Sequence, residues 1–146
     1  MAKPLTTTSN ALLGLLSIQP WSTYELAKQV DRSLGWFWPR TERKIYDEAK
    51  KLVESGHATA KLQATGSRPR TVYKITAKGR RTLQAWLDES SAPPKLEAEA
   101  LVRVFFANAG TLDQLRTTLD DLAAQSRANM DELRVLIATA DDADYP

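Results

Sequence analysis

The chain has 146 residues, no cysteine and one histidine, with 20 Lys/Arg against 18 Asp/Glu for a formal charge of +2. Thiol catalysis, cysteine zinc sites and disulfides are excluded, and the length suits one or two small units. The near-balance hides an asymmetry. Residues 1–87 carry 15 Lys/Arg against 6 Asp/Glu, a net of +9, whereas residues 88–146 carry 5 against 12, a net of −7. A basic unit joined to an acidic one points to nucleic-acid binding by the first and a different task for the second.

In chain order, Asn10 to Ile18 reads as a helix with Leu12, Leu15 and Leu16 on one side. Only Lys3 precedes this apolar run and no small-residue cleavage site follows, so it is not read as a signal peptide. Nothing approaches the length of a membrane span. Gln19-Pro20-Trp21 reads as a turn. Ser22 to Glu25 forms a capping box, and Leu26, Ala27, Val30 and Leu34 make the apolar stripe of a second helix.

The third helix is predicted to start at Trp38-Pro39, because proline suits the first helical position. Ile45, Ala49, Leu52 and Val53 share one face. Arg40, Arg43, Lys44, Asp47, Lys50, Lys51 and Glu54 occupy the other. A helix that enters the major groove places such residues on bases and phosphates. Ser55-Gly56 reads as its C-terminal stop.

A hairpin follows. His57–Gln63 and Thr71–Thr76 alternate as strands, and the turn-rich segment 64–69 joins them. Lys61, Arg68 and Arg70 crowd that loop, which suits a wing lying on the phosphate backbone or entering the minor groove. Thr76 is the expected cap of a fourth helix, in which Gly79 implies close packing and Leu83, Trp86 and Leu87 form the apolar face.

Residues 88–95, with two prolines, form the predicted linker. Beyond it, Leu96, Ala100, Leu101, Val104 and Phe105 make one apolar helix face, which 107–110 breaks. Thr111 and Gln114 cap the next helix. Its positions 112, 115, 119, 122, 126, 129, 133 and 136 follow 3-4 spacing and read Leu112, Leu115, Leu119, Leu122, Ser126, Asn129, Leu133 and Leu136. That is a coiled-coil seam with a polar centre. Two helices with so much apolar surface and no third layer call for a partner chain, so Leu101, Phe105, Leu112, Leu115, Leu119, Leu122 and Leu133 are the expected homodimer contacts.

Together these elements predict a mainly α (α+β) chain. Residues 1–87 form a winged helix-turn-helix with a two-stranded wing, 88–95 the linker, 96–140 a helical dimerisation region and 141–146 a tail. The order of motifs resembles that of PadR-type transcriptional regulators. The likeness is carried by Leu12-Leu13-Gly14-Leu15-Leu16, Tyr24-Glu25-Leu26, Phe37-Trp38-Pro39, Ile45-Tyr46, Leu52-Val53-Glu54-Ser55-Gly56 and Val72-Tyr73-Lys74-Ile75-Thr76-Ala77-Lys78-Gly79-Arg80. Gly35-Trp36-Phe37-Trp38 is similar to the branch that includes virulence activators.

The resemblance implies a dimer that binds double-stranded DNA at a pseudo-palindromic operator, often as a repressor. It implies a cytoplasmic, nucleoid-associated protein that is not an enzyme. DNA contact is carried onto Arg40, Thr41, Arg43, Lys44, Tyr46 and Lys50 of the recognition helix and Arg68 and Arg70 of the wing. Relatives usually have leucine at Ala49, and many have an aliphatic residue at His57; both changes lighten the core slightly. No metal or cofactor is expected, since His57 lacks a ligand partner at motif spacing and no glycine-rich phosphate loop is present. An aromatic small-molecule effector is a possible further partner, with Trp36, Trp38 and Trp86 as candidates to line its pocket. The competing reading is an adaptor whose acidic helices bind another protein.

Overall fold

The computed structural model of the chain describes residues 4–66 and 68–140. The tail at 141–146 and Ser67 of the expected loop lie outside the described residues. Contacts divide the chain into two compact units, with the break between Ser91 and Ala92.

The first unit opens with α1, Thr7–Ile18, capped by the Thr6 hydroxyl, which accepts from the Ser9 amide at 3.1 Å. The helix therefore begins three residues before Asn10. Leu12, Leu13, Leu15 and Leu16 point into the core. The expected turn at Trp21 is instead a two-residue strand, β1, Trp21–Ser22. Ser22 also caps α2, Thr23–Gln29, through the predicted capping box. The chain then winds as a π-helical turn over Val30–Leu34, which keeps Val30 buried.

The third helix, α3, spans Glu42–Glu54. Its N-cap is Thr41, whose hydroxyl accepts from the Lys44 amide at 3.3 Å. This corrects the start expected at Trp38-Pro39. A threonine that satisfies an orphan amide defines the helix end better than a proline, which only avoids wasting one. The far end is a Schellman stop. The Gly56 amide donates to Val53 O at 3.0 Å, the His57 amide to Leu52 O at 2.8 Å, and Gly56 takes φ +75°.

The hairpin is longer than expected. Strands β2, Ala58–Thr65, and β3, Arg68–Ile75, pair antiparallel as far as Thr65 opposite Arg68. Most of the predicted loop is thus strand, and Gly66 turns the tip at φ +75°. β1 adds to the other edge of β3, with Trp21 opposite Tyr73. The two-stranded wing is consequently part of a three-stranded sheet in the order β1-β3-β2.

Helix α4, Ala77–Leu87, is capped by Thr76 as expected. Gly79 packs so tightly that a Cβ there would lie 2.2 Å from the His57 carbonyl oxygen. The leucines of α1 meet Leu26, Ile45, Ala49, Leu52, Ala58, Tyr73, Ile75 and Leu83 in one core, with Trp86 packed against it. Ala49 is buried there, and His57 is also buried, its Nδ1 2.7 Å from Ser55 Oγ. Burial, then the nearby Lys78 charge, hold the His57 pKa below its usual value.

In the second unit, α5 covers Glu99–Phe105, so Leu96 precedes the helix on which it was expected. A 3₁₀ turn at Ala107–Ala109 leads to α6, Leu112–Thr139, with the capping box of Thr111 and Gln114 in place. Neither helix has a buried residue. Leu101, Phe105, Leu112, Leu119 and Leu133 are exposed, whereas Leu115 and Leu122 are half-buried.

Candidate nucleic-acid interface

Helix α3 buries Ile45, Ala49 and Leu52 against the core and turns Arg43, Asp47, Lys50 and Glu54 to solvent. These four lie at i, i+4, i+7 and i+11, one stripe along the helix. Among the described residues, Arg43 and Lys50 make no ion pair, so their charges are free for an external anion.

A fourth residue shares the buried face, and it is a carboxylate. Glu48 is fully buried. Its Oε2 accepts from the hydroxyls of Thr6, at 2.9 Å, and Ser9, and its Oε1 accepts from Lys44 Nζ at 2.9 Å and Lys51 Nζ at 3.0 Å. Burial alone would raise the carboxyl pKa. The bonds from Ser9, Lys44, Lys51 and Thr6 outweigh that and hold it at about 2. The sequence did carry a signal for this. Residue 48 falls between 45 and 52 on the apolar stripe, where a charge must find several donors.

Arg40 lies ahead of α3, not on it. Its Nε donates to Thr8 Oγ1 at 3.3 Å, and its guanidinium lies 4.1 Å from the centre of the Trp38 ring. Thr41 spends its hydroxyl on the cap. Tyr46 is half-buried, and its hydroxyl donates to Glu42 at 3.4 Å; burial and that carboxylate push its pKa up. Lys44 is the candidate most altered by the structure, being tied to Glu48.

On the wing, the register sets Lys74 opposite Thr59, Val72 opposite Lys61, Arg70 opposite Gln63 and Arg68 opposite Thr65. Directly opposed residues share a face, so Lys61, Arg68, Arg70 and Lys74 form one cationic face, opposite to Tyr73 and Ile75. All four are exposed. Arg70 reaches Glu25 at 3.6 Å, linking the wing to α2. The Glu25 pKa is lowered by the Ser22 hydroxyl and amide, with Arg70 adding to them.

Two of the three effector candidates make contacts of their own. The Trp38 indole donates to Thr8 Oγ1 at 3.3 Å beneath Arg40, and Trp86 packs on the core. Trp36 is exposed, and none of the three lines the cavity of about 520 Å³ beside Arg103, Phe106 and Leu115. Among the described residues, no group of three or more acidic or histidine side chains could hold a metal ion, and no helix is long and apolar enough to cross a membrane.

This arrangement has close parallels. Residues 12–85 match the Transcriptional regulator PadR-like family. The negative transcriptional regulator PadR of Bacillus subtilis is 25% identical over 126 residues, 85% of this chain and 69% of that protein. Its crystal structure in complex with operator DNA has a TM-score of 0.82 at 23% identity and covers 97% of this chain and 83% of that one. Its complex with p-coumaric acid gives 0.67 at 24% identity, covering 97% and 78%. The Vibrio cholerae virulence activator AphA gives 0.69 at 25% identity, covering 96% and 79%, in line with the resemblance at residues 35–38. Family members are DNA-binding regulators, which are generally not enzymes, and the adaptor reading is not favoured. With its basic helix set beside a cationic wing, the chain belongs to the PadR-like family of transcriptional regulators.

Proposed function

We propose that the chain is a homodimeric repressor of a pseudo-palindromic operator. In this reading α3 enters the major groove, Arg43 and Lys50 contact bases or phosphates, and Arg68 lies on the backbone flanking the groove. Arg40 and the Thr41 backbone meet a phosphate at the helix start. The observation that carries the reading is the exposed, ion-pair-free stripe of Arg43 and Lys50 on a helix whose other face is locked in the core. Two such helices on one dimer would reach successive major grooves roughly 34–36 Å apart.

The repressor role is supported by the negative regulator among the relatives. Homodimerisation is supported by the apolar side chains that α5 and α6 leave exposed, above all Phe105, Leu112 and Leu119. Trp38 holds Arg40 and Trp86 packs on the core, and neither role requires an effector or cofactor. A chromosomal operator places the protein in the cytoplasm, with the nucleoid.

Selection of bound duplexes from a random pool tests the reading. One inverted repeat should emerge, and binding to it should weaken by orders of magnitude between roughly 50 and 200 mM salt. Equal binding by an Arg43/Lys50 double alanine variant would overturn the reading.

A further inference from the structure

We infer that Glu48 is a positioning residue that withdraws Lys44 and Lys51 from the phosphate-binding charge of α3, so that Arg43 and Lys50 make that helix's ionic contacts. The inference rests on the DNA-binding reading above. It starts from a carboxylate with both oxygens occupied. On one side the hydroxyls of Thr6 and Ser9, at the start of α1, meet Oε2. On the other, two ammonium groups meet Oε1 at 2.9 and 3.0 Å.

Two consequences follow from this geometry. First, the α1 hydroxyls pin the rotation of α3 about its own axis, because Glu48 can reach them only from one side of the helix. The stripe of Arg43 and Lys50 is thereby aimed. Second, Lys44 and Lys51 stand at i−4 and i+3 from Glu48 and are drawn to the same edge. The three groups together carry one positive charge instead of the two that the lysines would present alone. Each free cation immediately precedes a tethered one, Arg43 before Lys44 and Lys50 before Lys51, about 100° round the helix. The sequence thus shows four cations, of which two are held by an internal counter-ion. A helix with fewer uncommitted lysines binds phosphate less indiscriminately, since phosphate neutralisation carries affinity without sequence information.

The test is the dependence of binding on salt, using a mixed-sequence duplex of roughly three helical turns and the full chain. Each phosphate neutralised contributes about 0.9 to the slope of log K against log salt. Arg43→Gln and Lys50→Gln should each flatten the slope by about that amount. Lys44→Gln and Lys51→Gln should each change it by less than half as much. Glu48→Gln should steepen it by about one phosphate and raise affinity for the mixed-sequence duplex several-fold. A merely structural Glu48 would lower thermal stability and leave the slope of the folded variant unchanged, and that result would overturn the inference. If Glu48→Gln does not fold, the lysine variants decide: flattening by Lys44→Gln or Lys51→Gln as large as that by Arg43→Gln is equally fatal. Failure of the unmodified chain to bind duplex at low salt would instead remove the DNA-binding reading.

Discussion

Thr8 Oγ1 accepts from two residues at once, Trp38 Nε1 and Arg40 Nε, each at 3.3 Å. The guanidinium therefore rests on the indole face with its position set by a hydroxyl of α1. Such stacking is worth about 0.5–1 kcal/mol at an exposed site. Trp38→Ala should weaken duplex binding about two- to fivefold by releasing Arg40, on top of any loss of stability. Trp38→Phe keeps a ring under the guanidinium and should recover most of the affinity in the same anisotropy titration. Equal loss in both variants would show that the indole acts through its N–H bond to Thr8, which both remove, and not through the ring beneath the guanidinium.

Gly79 sits where a side chain has no room. A Cβ would lie 2.2 Å from the His57 carbonyl oxygen and 2.8 Å from Ile75 Cγ1. Gly79→Ala must push α4 away from the His57 backbone and Ile75 despite alanine's better helix propensity, at a cost of about 1–3 kcal/mol. Urea unfolding should show a lower midpoint with an unchanged slope. Gly14→Ala in α1, where nothing lies within 4 Å of the added methyl, is the matched control and should be neutral or stabilising.

Local chemistry made much of this fold legible. The capping boxes at Ser22 and Thr111, the cap at Thr76, the glycine stop at Gly56 and the crowding at Gly79 were all readable from residue type and position. The misreadings arose where a long-range partner decides the outcome. Trp21 is a strand residue because Tyr73, fifty-two positions later, offers a free edge. Residues 64–69 look like a loop because Gly66 and Pro69 lie there, yet cross-strand pairing carries the ladder to Thr65 and Arg68. In the site, Arg43 and Lys50 could be read from periodicity. The commitment of Lys44 and Lys51 could not, because the hydroxyls that keep Glu48 in the core come from α1, about forty residues away. Likewise Arg70 reads as a free wing cation until the fold brings it to Glu25.

That last pair separates the two wing arginines. Arg68 makes no ion pair among the described residues, whereas Arg70 is shared with Glu25. Arg68→Ala should flatten the salt dependence of binding by about one phosphate, about 0.9 in slope. Arg70→Ala should flatten it less. An equal effect from both would show that DNA displaces Glu25 from Arg70.

Glu48 also sets a pH limit on stability. Its folded-state pKa of about 2 lies below the ordinary value of 4.5. A depressed pKa gives stability that is fully present above the unfolded value and is lost as pH falls towards the folded one. The contribution should hold near neutrality and decline from about pH 5 to pH 2, a loss on the order of 3 kcal/mol. Urea midpoints measured across that range should fall for the parent chain. Glu48→Gln, which cannot titrate, should start lower and show a shallower decline. Parallel curves for the two would assign the acid loss to other carboxylates.

The seam of α6 makes the remaining prediction. Leu119 lies in its first half and is exposed, one turn from the half-buried Leu115 and Leu122. Lysine at 119 would place an unpaired ammonium in the middle of a helix-helix contact, where burial without a counter-ion is costly. Leu119→Lys should therefore sediment as a monomer at micromolar concentration. Its winged unit should stay folded, because no residue of the core in the first unit is touched. Binding to an inverted-repeat duplex should fall steeply, whereas binding to a single half-site should change little, since each copy then binds without its neighbour. A Leu119→Lys chain that remains dimeric would move the interface off this seam and onto α5, where Phe105 and Phe106 stand edge to face with centroids 5.1 Å apart.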